Sequence, residues 1–417
     1  MTRFLRAAAL AVLVCAAGQA ISAPRTSSRP PAPAPSAPAP AGGPVVYWIS
    51  AGTDSGMGGM GGMGAGGHRP STAEMMQMQN RGPNAYSHSL MLQLGSPRRP
   101  TGDPQAEHDP PPGLGVGAAL PLVTPVQTPR GETPPDYHPQ GRMLIFWGCG
   151  EHVGPNQPLV IDLSSPDHGA AQFAAMGRTI GTGAAAGPSA ARNATYGEWP
   201  NPQNGRAVPQ DGSLQGAHTI RGNYTPQIDF SLTANQDFLP PFRITSNAKA
   251  PSGAVALGWR PVDGAQAYLA TVVGAQGQNQ VVMWSSSSVQ AMAGSVGEYL
   301  ADAEIARLVA AHVLLPASQT SCTVPQEVVQ AVGTGVFRLI GFGGEANLAY
   351  PPRPPEPQPW RPVWTVKVRY RSAASGLLGM DMERMMSGHD DDDGDPQPQQ
   401  PPPRRSNPFN PFGGMVP

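Results

Sequence analysis

Most hydrophobic positions of the chain fall in short runs that are bounded by glycine, proline or asparagine. Two of these runs alternate strictly between apolar and polar residues, which is the pattern of a strand with one buried face. Their apolar positions are Ile228, Phe230 and Leu232 in residues 227–233, and Trp364, Val366, Val368 and Tyr370 in residues 364–371. Each set is expected on the buried face of its strand.

Other runs are mainly apolar, and many are rich in β-branched or aromatic residues, which favours strands. They lie at residues 45–50, 89–94, 142–147, 158–163, 242–245, 254–259, 267–273, 281–285 and 336–342. A turn-rich bridge at 148–155 predicts that the two runs around it form a hairpin or adjacent strands. Irregularly spaced strands joined by such loops predict a mainly β fold with antiparallel, sandwich-like domains.

One region departs from the strand pattern. Between residues 298 and 315 four apolar residues and one histidine recur at helical spacings, with Ser295 as a candidate N-cap and Pro316 at the end. These residues are Leu300, Ile305, Leu308, Val309 and His312. Residues 325–332 are expected to add a short second helix. The region is therefore predicted to be a helical insertion in a β-rich domain.

Composition separates folded from unfolded parts. The 51 prolines and 51 glycines make up about a quarter of the 417 residues, close to the level at which composition indicates disorder. The expected organisation is a signal peptide at 1–23, a disordered Pro/Ala-rich linker at 24–43, a β-rich domain at 44–247 with a disordered Gly/Met insertion at about 54–86, a second β-rich domain at 251–372 and a disordered acidic, Pro-rich tail at 373–417.

The first residues have the layout of a secretory signal peptide. Arg3 and Arg6 precede an apolar run at 7–17, and small residues follow up to Ala23. The run is shorter than the roughly 20 apolar residues that cross a bilayer, which favours cleavage over anchoring. Cys15 leaves a lipoprotein as an alternative. The mature protein is expected in the periplasm or outside the cell, without a membrane span.

One short pattern resembles a known domain family. It consists of Trp259, Val262, Gly264, Ala265 and Tyr268. This spacing is similar to that of the second and third strands of fibronectin type III-like domains, where the tryptophan and the tyrosine fill the core between two sheets. The resemblance covers about residues 254–273 and implies a sandwich scaffold rather than an activity. The helical insertion departs from that family.

Charge and cysteine content narrow the choice of partners and compartment. A formal net charge of -1 with 13% charged residues gives no long-range field to gather nucleic acid or an anionic membrane. With Cys15 removed in the signal peptide, Cys149 and Cys322 remain, an even number in an oxidising compartment. They are expected either to form a disulfide between the predicted domains or to remain separate, buried thiols.

Methionines give the sharpest chemical hypothesis. Met57, Met60 and Met63 recur at every third position of a glycine-rich stretch, and His68 follows closely. Soft thioethers suit Cu(I), and the spacing resembles the Met-x-x-Met clusters of periplasmic copper-handling proteins. The alternative is low-complexity sequence in which methionine is incidental. We therefore assign no cofactor, with copper as the alternative.

Catalytic patterns are weak. Cys149 and His152 share a glycine-flanked turn, where a thiol and an imidazole would be a nucleophile and its base. Ser213, His218 and Asp229 supply the residue types of a triad, but no G-x-S-x-G motif surrounds the serine. No residue is assigned a catalytic role on this basis.

Aromatic residues suggest a binding surface. Trp199 and Trp360 have prolines close by and are expected to be exposed, where flat rings bind sugars or peptides. The favoured hypothesis is an exported, non-enzymatic envelope or extracellular binding or structural protein, with an envelope protein or a glycan as its partner. The alternatives are a periplasmic copper-handling protein and an exported hydrolase.

Overall fold

The computed structural model describes residues 42–57, 85–125, 141–163, 187–277, 279–291, 296–356 and 358–380. The predicted signal peptide lies outside these residues, as do nearly all of the predicted linker and most of the Gly/Met insertion and the tail. Every described residue belongs to one compact unit, Ala39–Pro417. Within the described ranges, no helix has the length and apolarity needed to cross a membrane.

The regular structure of the described residues is dominated by strands. The strands are β1 (Val45–Gly56), β2 (Tyr86–Ser96), β3 (Ala106–Asp109), β4 (Leu120–Pro121), β5 (Arg142–Trp147), β6 (Leu159–Asp162), β7 (Thr195–Trp199), β8 (Gly216–Gly222), β9 (Ile228–Leu232), β10 (Ile244–Lys249), β11 (Val255–Trp259), β12 (Ala267–Gln276), β13 (Gln280–Ser285), β14 (Leu315–Pro316), β15 (Ser321–Val324), β16 (Gly335–Tyr350) and β17 (Trp364–Leu377). The helices are α1 (Asp302–Ala310) and α2 (Gln326–Val332). The predicted mainly β class is confirmed.

These strands form three sheets. The largest has the order β6-β5-β13-β12-β16-β17-β1-β2-β7, with β14 paired to β12 as its tenth strand. A three-stranded sheet has the order β10-β11-β15, and a four-stranded sheet the order β4-β3-β8-β9. Two pairs of the large sheet, β1 with β17 and β13 with β5, are parallel. The sheet is therefore mixed rather than purely antiparallel, and its parallel pairs join strands far apart in sequence, as parallel pairing requires.

The main core contains side chains from all three sheets. One buried cluster joins Ile49 and Val368 of the large sheet to Ile220 of the four-stranded sheet and Leu257 of the three-stranded sheet. We call the face of the large sheet that lines this cluster the inner face, and the opposite face the outer face. The apolar residues of the two alternating runs are all buried, as predicted. The predicted hairpin is present as the antiparallel pair β5 and β6.

The predicted helical insertion covers part of the outer face. Ile305 and Leu308 of α1 pack with Leu269 of β12 and Ile340 of β16 in a second buried cluster. α1 is shorter than the predicted span of 298–315, and it begins after Ala301, which makes no side-chain capping hydrogen bond. The candidate cap, Ser295, lies outside the described residues. The second predicted helix is present as α2.

Strands on both sides of the predicted boundary near residue 250 pair in the large sheet. β1 lies between β2 and β17, so residues from 44–247 and from 251–372 share one sheet. β17 also continues to Leu377, beyond the predicted start of the tail at 373. Its small, buried residues Ala373 and Ala374 pair with Ile340 and Leu339 of β16.

Trp259 and Tyr268, the two aromatic residues of the fibronectin type III-like pattern, contact each other in the core. Trp259 ends β11 in the three-stranded sheet, and Tyr268 lies near the start of β12 in the large sheet. Their ring centroids are 5.5 Å apart and nearly perpendicular, at 71°. Both side chains are buried. Because they belong to different sheets, their contact joins the two sheets, as expected of a sandwich-like fold.

Candidate functional site

Three basic residues of β17 form alternating layers with two aromatic rings on the outer face of the large sheet. The layers follow the order Lys367, Trp48, Arg369, Tyr299 and Arg371, which we call the cation–π ladder. The Arg369 guanidinium carbon lies 4.4 Å from the Trp48 ring centroid and 4.8 Å from the Tyr299 ring centroid. Arg369 is thus held between two ring faces, which attract cations.

Strand register brings these side chains together. In the parallel pair of β1 and β17, Trp48 is the partner of Lys367, Ser50 of Arg369, and Gly52 of Arg371. Alternate residues of a strand share a face, so the three basic side chains all lie on the outer face. Tyr299 comes from the segment just before α1, and the packing of α1 on the sheet fixes its position.

Gly52 provides the space for one end of the ladder. A Cβ at this position would lie 3.1 Å from both the Arg371 guanidinium carbon and the Tyr299 hydroxyl, and closer still to the Ser89 hydroxyl. A glycine inside a strand often marks the close approach of other groups. Here it allows Tyr299 and Arg371 to lie against the backbone of β1.

Carboxylates neutralise the two ends of the ladder. Lys367 forms an ion pair with Glu345. Arg371 donates to Asp54 at 2.6 Å, and its Nε lies 3.3 Å from Glu298. Burial lowers the pKa of Arg371, but Tyr299 and Asp54 raise it by a larger amount. The pKa of Arg371 is therefore above its usual value. These cations are held by charge as well as by ring faces.

The central cation lacks such a partner. Arg369 is half-buried, donates from Nη2 to Ser50 Oγ at 2.6 Å, and forms no ion pair among the described residues. Glu345 is its register partner on β16, but that carboxylate binds Lys367. The buried Nε of Arg369 has no hydrogen-bond partner among the described residues. Burial lowers the pKa of Arg369, and the smaller opposing effects of Tyr299 and Glu345 do not restore it.

A second polar cluster connects the large sheet to the four-stranded sheet. Tyr47 of β1 lies 2.8 Å from His108 of β3, which lies 2.9 Å from His218 of β8, and His218 lies 2.7 Å from the Leu214 carbonyl. We call these three side chains the relay. All of them are buried, so no ligand can reach them from solvent.

The proton positions of the relay follow from its last acceptor. A carbonyl oxygen can only accept, so His218 Nε2 donates to Leu214 and His218 Nδ1 accepts from His108 Nε2. His108 Nδ1 then accepts from the Tyr47 hydroxyl. Both imidazoles are neutral in this arrangement. Burial lowers the pKa of His218 and, together with His218, sets the pKa of His108 well below its usual value.

The catalytic hypotheses based on Cys149 and on the triad residue types are not supported by the geometry. Cys149 is joined to Cys322 by a disulfide with its Cα atoms 5.2 Å apart, so it is not a free nucleophile. His152 instead pairs with Glu327 at the surface. Ser213 donates to Asp237 rather than to His218, whose two ring nitrogens are both engaged in the relay.

The predicted copper ligands fall mainly outside the described residues. Met57 lies just after β1, with 37% of its surface exposed, whereas Met60, Met63 and His68 lie outside the described ranges. Within those ranges, no group of three or more His, Cys, Asp or Glu side chains could hold a metal ion. Copper binding by the methionines stays a prediction.

The expectation for the two tryptophans is wrong for Trp199. That side chain is 1% exposed and belongs to the main core, because β7 turns it inward beside β2. Trp360 is half-buried, lies 5.6 Å from the Arg353 guanidinium carbon and donates to the Pro351 carbonyl.

Sequence reasoning missed the cation–π ladder, although a signal for it was present. Lys367, Arg369 and Arg371 occupy the polar positions of the strand predicted at 364–371, so three cations on one strand face could have been recognised. Trp48 and Tyr299 could not have been assigned to that face without the pairing of β1 with β17 and the packing of α1.

Comparisons of the chain with protein-family models, with curated proteins and with solved structures found no match.

Proposed function

We propose that the protein is an exported, non-enzymatic binding module that recognises an envelope protein or a glycan through the outer face around the cation–π ladder. The observation that carries this proposal is Arg369, a cation that contacts two aromatic rings and Ser50 but forms no ion pair among the described residues. Pre-organised side chains lose little entropy on binding, which favours recognition.

The surroundings of the ladder are suited to contact with a partner. Glu298 and Arg338 form an ion pair at 2.7 Å, with 45% and 40% of their side chains exposed. Exposed ion pairs contribute little to stability, so Arg338 can exchange Glu298 for a partner's acidic group at small cost. Trp48 and Arg371 are themselves buried, so within the ladder they position Arg369 rather than contact a partner.

The fibronectin type III-like packing of Trp259 and Tyr268 fits the same role. A sandwich held by inter-sheet aromatic contacts is a scaffold that presents residues on its faces. The hydrolase alternative loses support from the engagement of Ser213 with Asp237 and of Cys149 in the disulfide.

The test is binding of the protein to glycan and peptide arrays, with Arg338→Glu as the interface variant. Charge reversal beside Glu298 should abolish the specific signals, while the exposed position should preserve the fold. Arg221→Glu is the matched control, because Arg221 is also exposed and ion-paired but lies on the four-stranded sheet. Signals that survive Arg338→Glu and Arg369→Gln would contradict a binding role for this face.

A further inference from the structure

We infer that Arg369 is the binding point for an oxyanion (a carboxylate, a sulfate or a phosphate group) carried by the ligand of the outer face. This inference rests on the proposed binding role of that face and specifies the chemistry it recognises. Three properties of this side chain support it: its charge balance, its geometry and its hydrogen-bonding capacity.

Charge balance singles out Arg369. Four cations lie on or beside the ladder, and three carboxylates face them. The cations are Lys367, Arg369, Arg371 and Arg338, and the carboxylates are Glu345, Asp54 and Glu298. Each carboxylate is paired with one of the other three cations. The one positive charge left over is therefore at Arg369, in partly buried surroundings where an isolated charge is costly.

The contacts around Arg369 orient its guanidinium group. The Arg369 guanidinium carbon lies over the rings of both Trp48 and Tyr299, and Ser50 Oγ accepts a hydrogen bond from Nη2. The N–H groups of a guanidinium lie in its plane, so a ligand that binds Arg369 would contact its edge. That edge carries N–H groups in a planar fork, which matches the two oxygens of an oxyanion.

The unused hydrogen-bond donors of Arg369 also favour an oxyanion ligand. Arginine has five N–H donors, and the described contacts of Arg369 use one of them. Its buried Nε has no partner among the described residues. An oxyanion bound at the terminal nitrogens, which are not among the buried atoms without a partner, would accept their free N–H groups and neutralise the charge. Binding should therefore stabilise the folded protein.

The experiment measures thermal stability and arginine side-chain NMR signals of the full chain in acetate, sulfate or phosphate, against chloride at equal ionic strength. At least one oxyanion should raise the melting temperature and shift the Nε–H signal of Arg369. That signal is assigned by its loss in Arg369→Lys. The anion that acts identifies the ligand group as a carboxylate, a sulfate or a phosphate.

Arg369→Gln should weaken oxyanion binding by about tenfold or more, since a hydrogen bond to a charged group contributes roughly 1.5–3 kcal/mol. Arg353→Gln is the matched control, because Arg353 also lies over a tryptophan ring but is exposed and outside the ladder.

If Arg369→Gln does not fold, the NMR shift in the wild-type protein decides whether the oxyanion binds at Arg369. No Nε–H shift with any of the three anions overturns the inference. Array signals that depend on Arg338 would still support the binding module.

Discussion

Gly52 shows how one residue determines whether the cation–π ladder can form. We expect Gly52→Ala to destabilise the protein by about 1–3 kcal/mol, because the new methyl group must displace the Ser89 hydroxyl and push back the Tyr299 hydroxyl and the Arg371 guanidinium. Urea unfolding would measure this change. Gly113→Ala is the control, since a Cβ at Gly113 meets no atom within 4 Å. Equal stability of both variants would mean that Tyr299 is not held against β1.

Trp259 is the residue on which the contact between β11 and β12 depends. It is 3% exposed and lies edge-on to Tyr268. Trp259→Ala should cost about 3 to 5 kcal/mol, as for other buried large-to-small changes. A melting temperature within one or two degrees of wild type, measured by calorimetry, would be incompatible with its burial.

At the scale of elements, the disulfide ties two segments that share no strand pair. Cys149 follows β5 of the large sheet, and Cys322 lies in β15 of the three-stranded sheet. The Gly150 N–H also donates to the Thr323 carbonyl at 2.9 Å, so the backbone supports the same contact. The loop closed by the bond spans 173 residues.

Removing the disulfide should destabilise the protein by up to about 5 kcal/mol, from the loop-closure entropy of the unfolded chain. The double variant Cys149→Ala and Cys322→Ala, compared with wild type in urea, measures this cost. Thiol counting on denatured, unreduced mature wild-type protein, which lacks Cys15, provides the control. Two free thiols per chain would show that the bond does not form in the native protein.

Element bounds also show where the sequence was sufficient. β5 begins and ends at the residues that its apolar run predicts, and β9 and β17 bury the predicted faces. β3 and β8 were missed because their residues are largely polar or small, as in Ala106–Asp109 and Gly216–Gly222. Their buried histidines form the relay, so the missed strands carry one of the two polar clusters.

For the whole molecule, the relay predicts an acid-sensitive contact between sheets. The pKa values of His108 and His218 are lowered in the folded protein, chiefly by burial, whereas unfolded histidine titrates near pH 6.5. Below about pH 6.5 the unfolded state therefore binds more protons, and folding stability should fall with falling pH. Above that pH the contribution of both histidines is fully present.

Urea unfolding between pH 4.5 and 7.5, roughly the range in which histidine titrates, would measure this dependence. The double variant His108→Phe and His218→Phe should lose stability less steeply as the pH falls. His312→Asn is the control, because His312 is exposed and has a backbone conformation that asparagine tolerates. An unchanged slope in the double variant would rule out the relay as the source of the acid dependence.

The sequence by itself determined the mainly β class, the buried faces of the alternating strands and the presence of two short helices. These features are local, because period-2 and helical patterns are written in neighbouring residues. Only the tertiary structure decided the cation–π ladder and the relay. Ser50 and Arg369 are 319 positions apart, and Tyr47 and His108 are 61 apart. Which strands become neighbours, and in which register, depends on packing across the whole chain, so local patterns do not specify it.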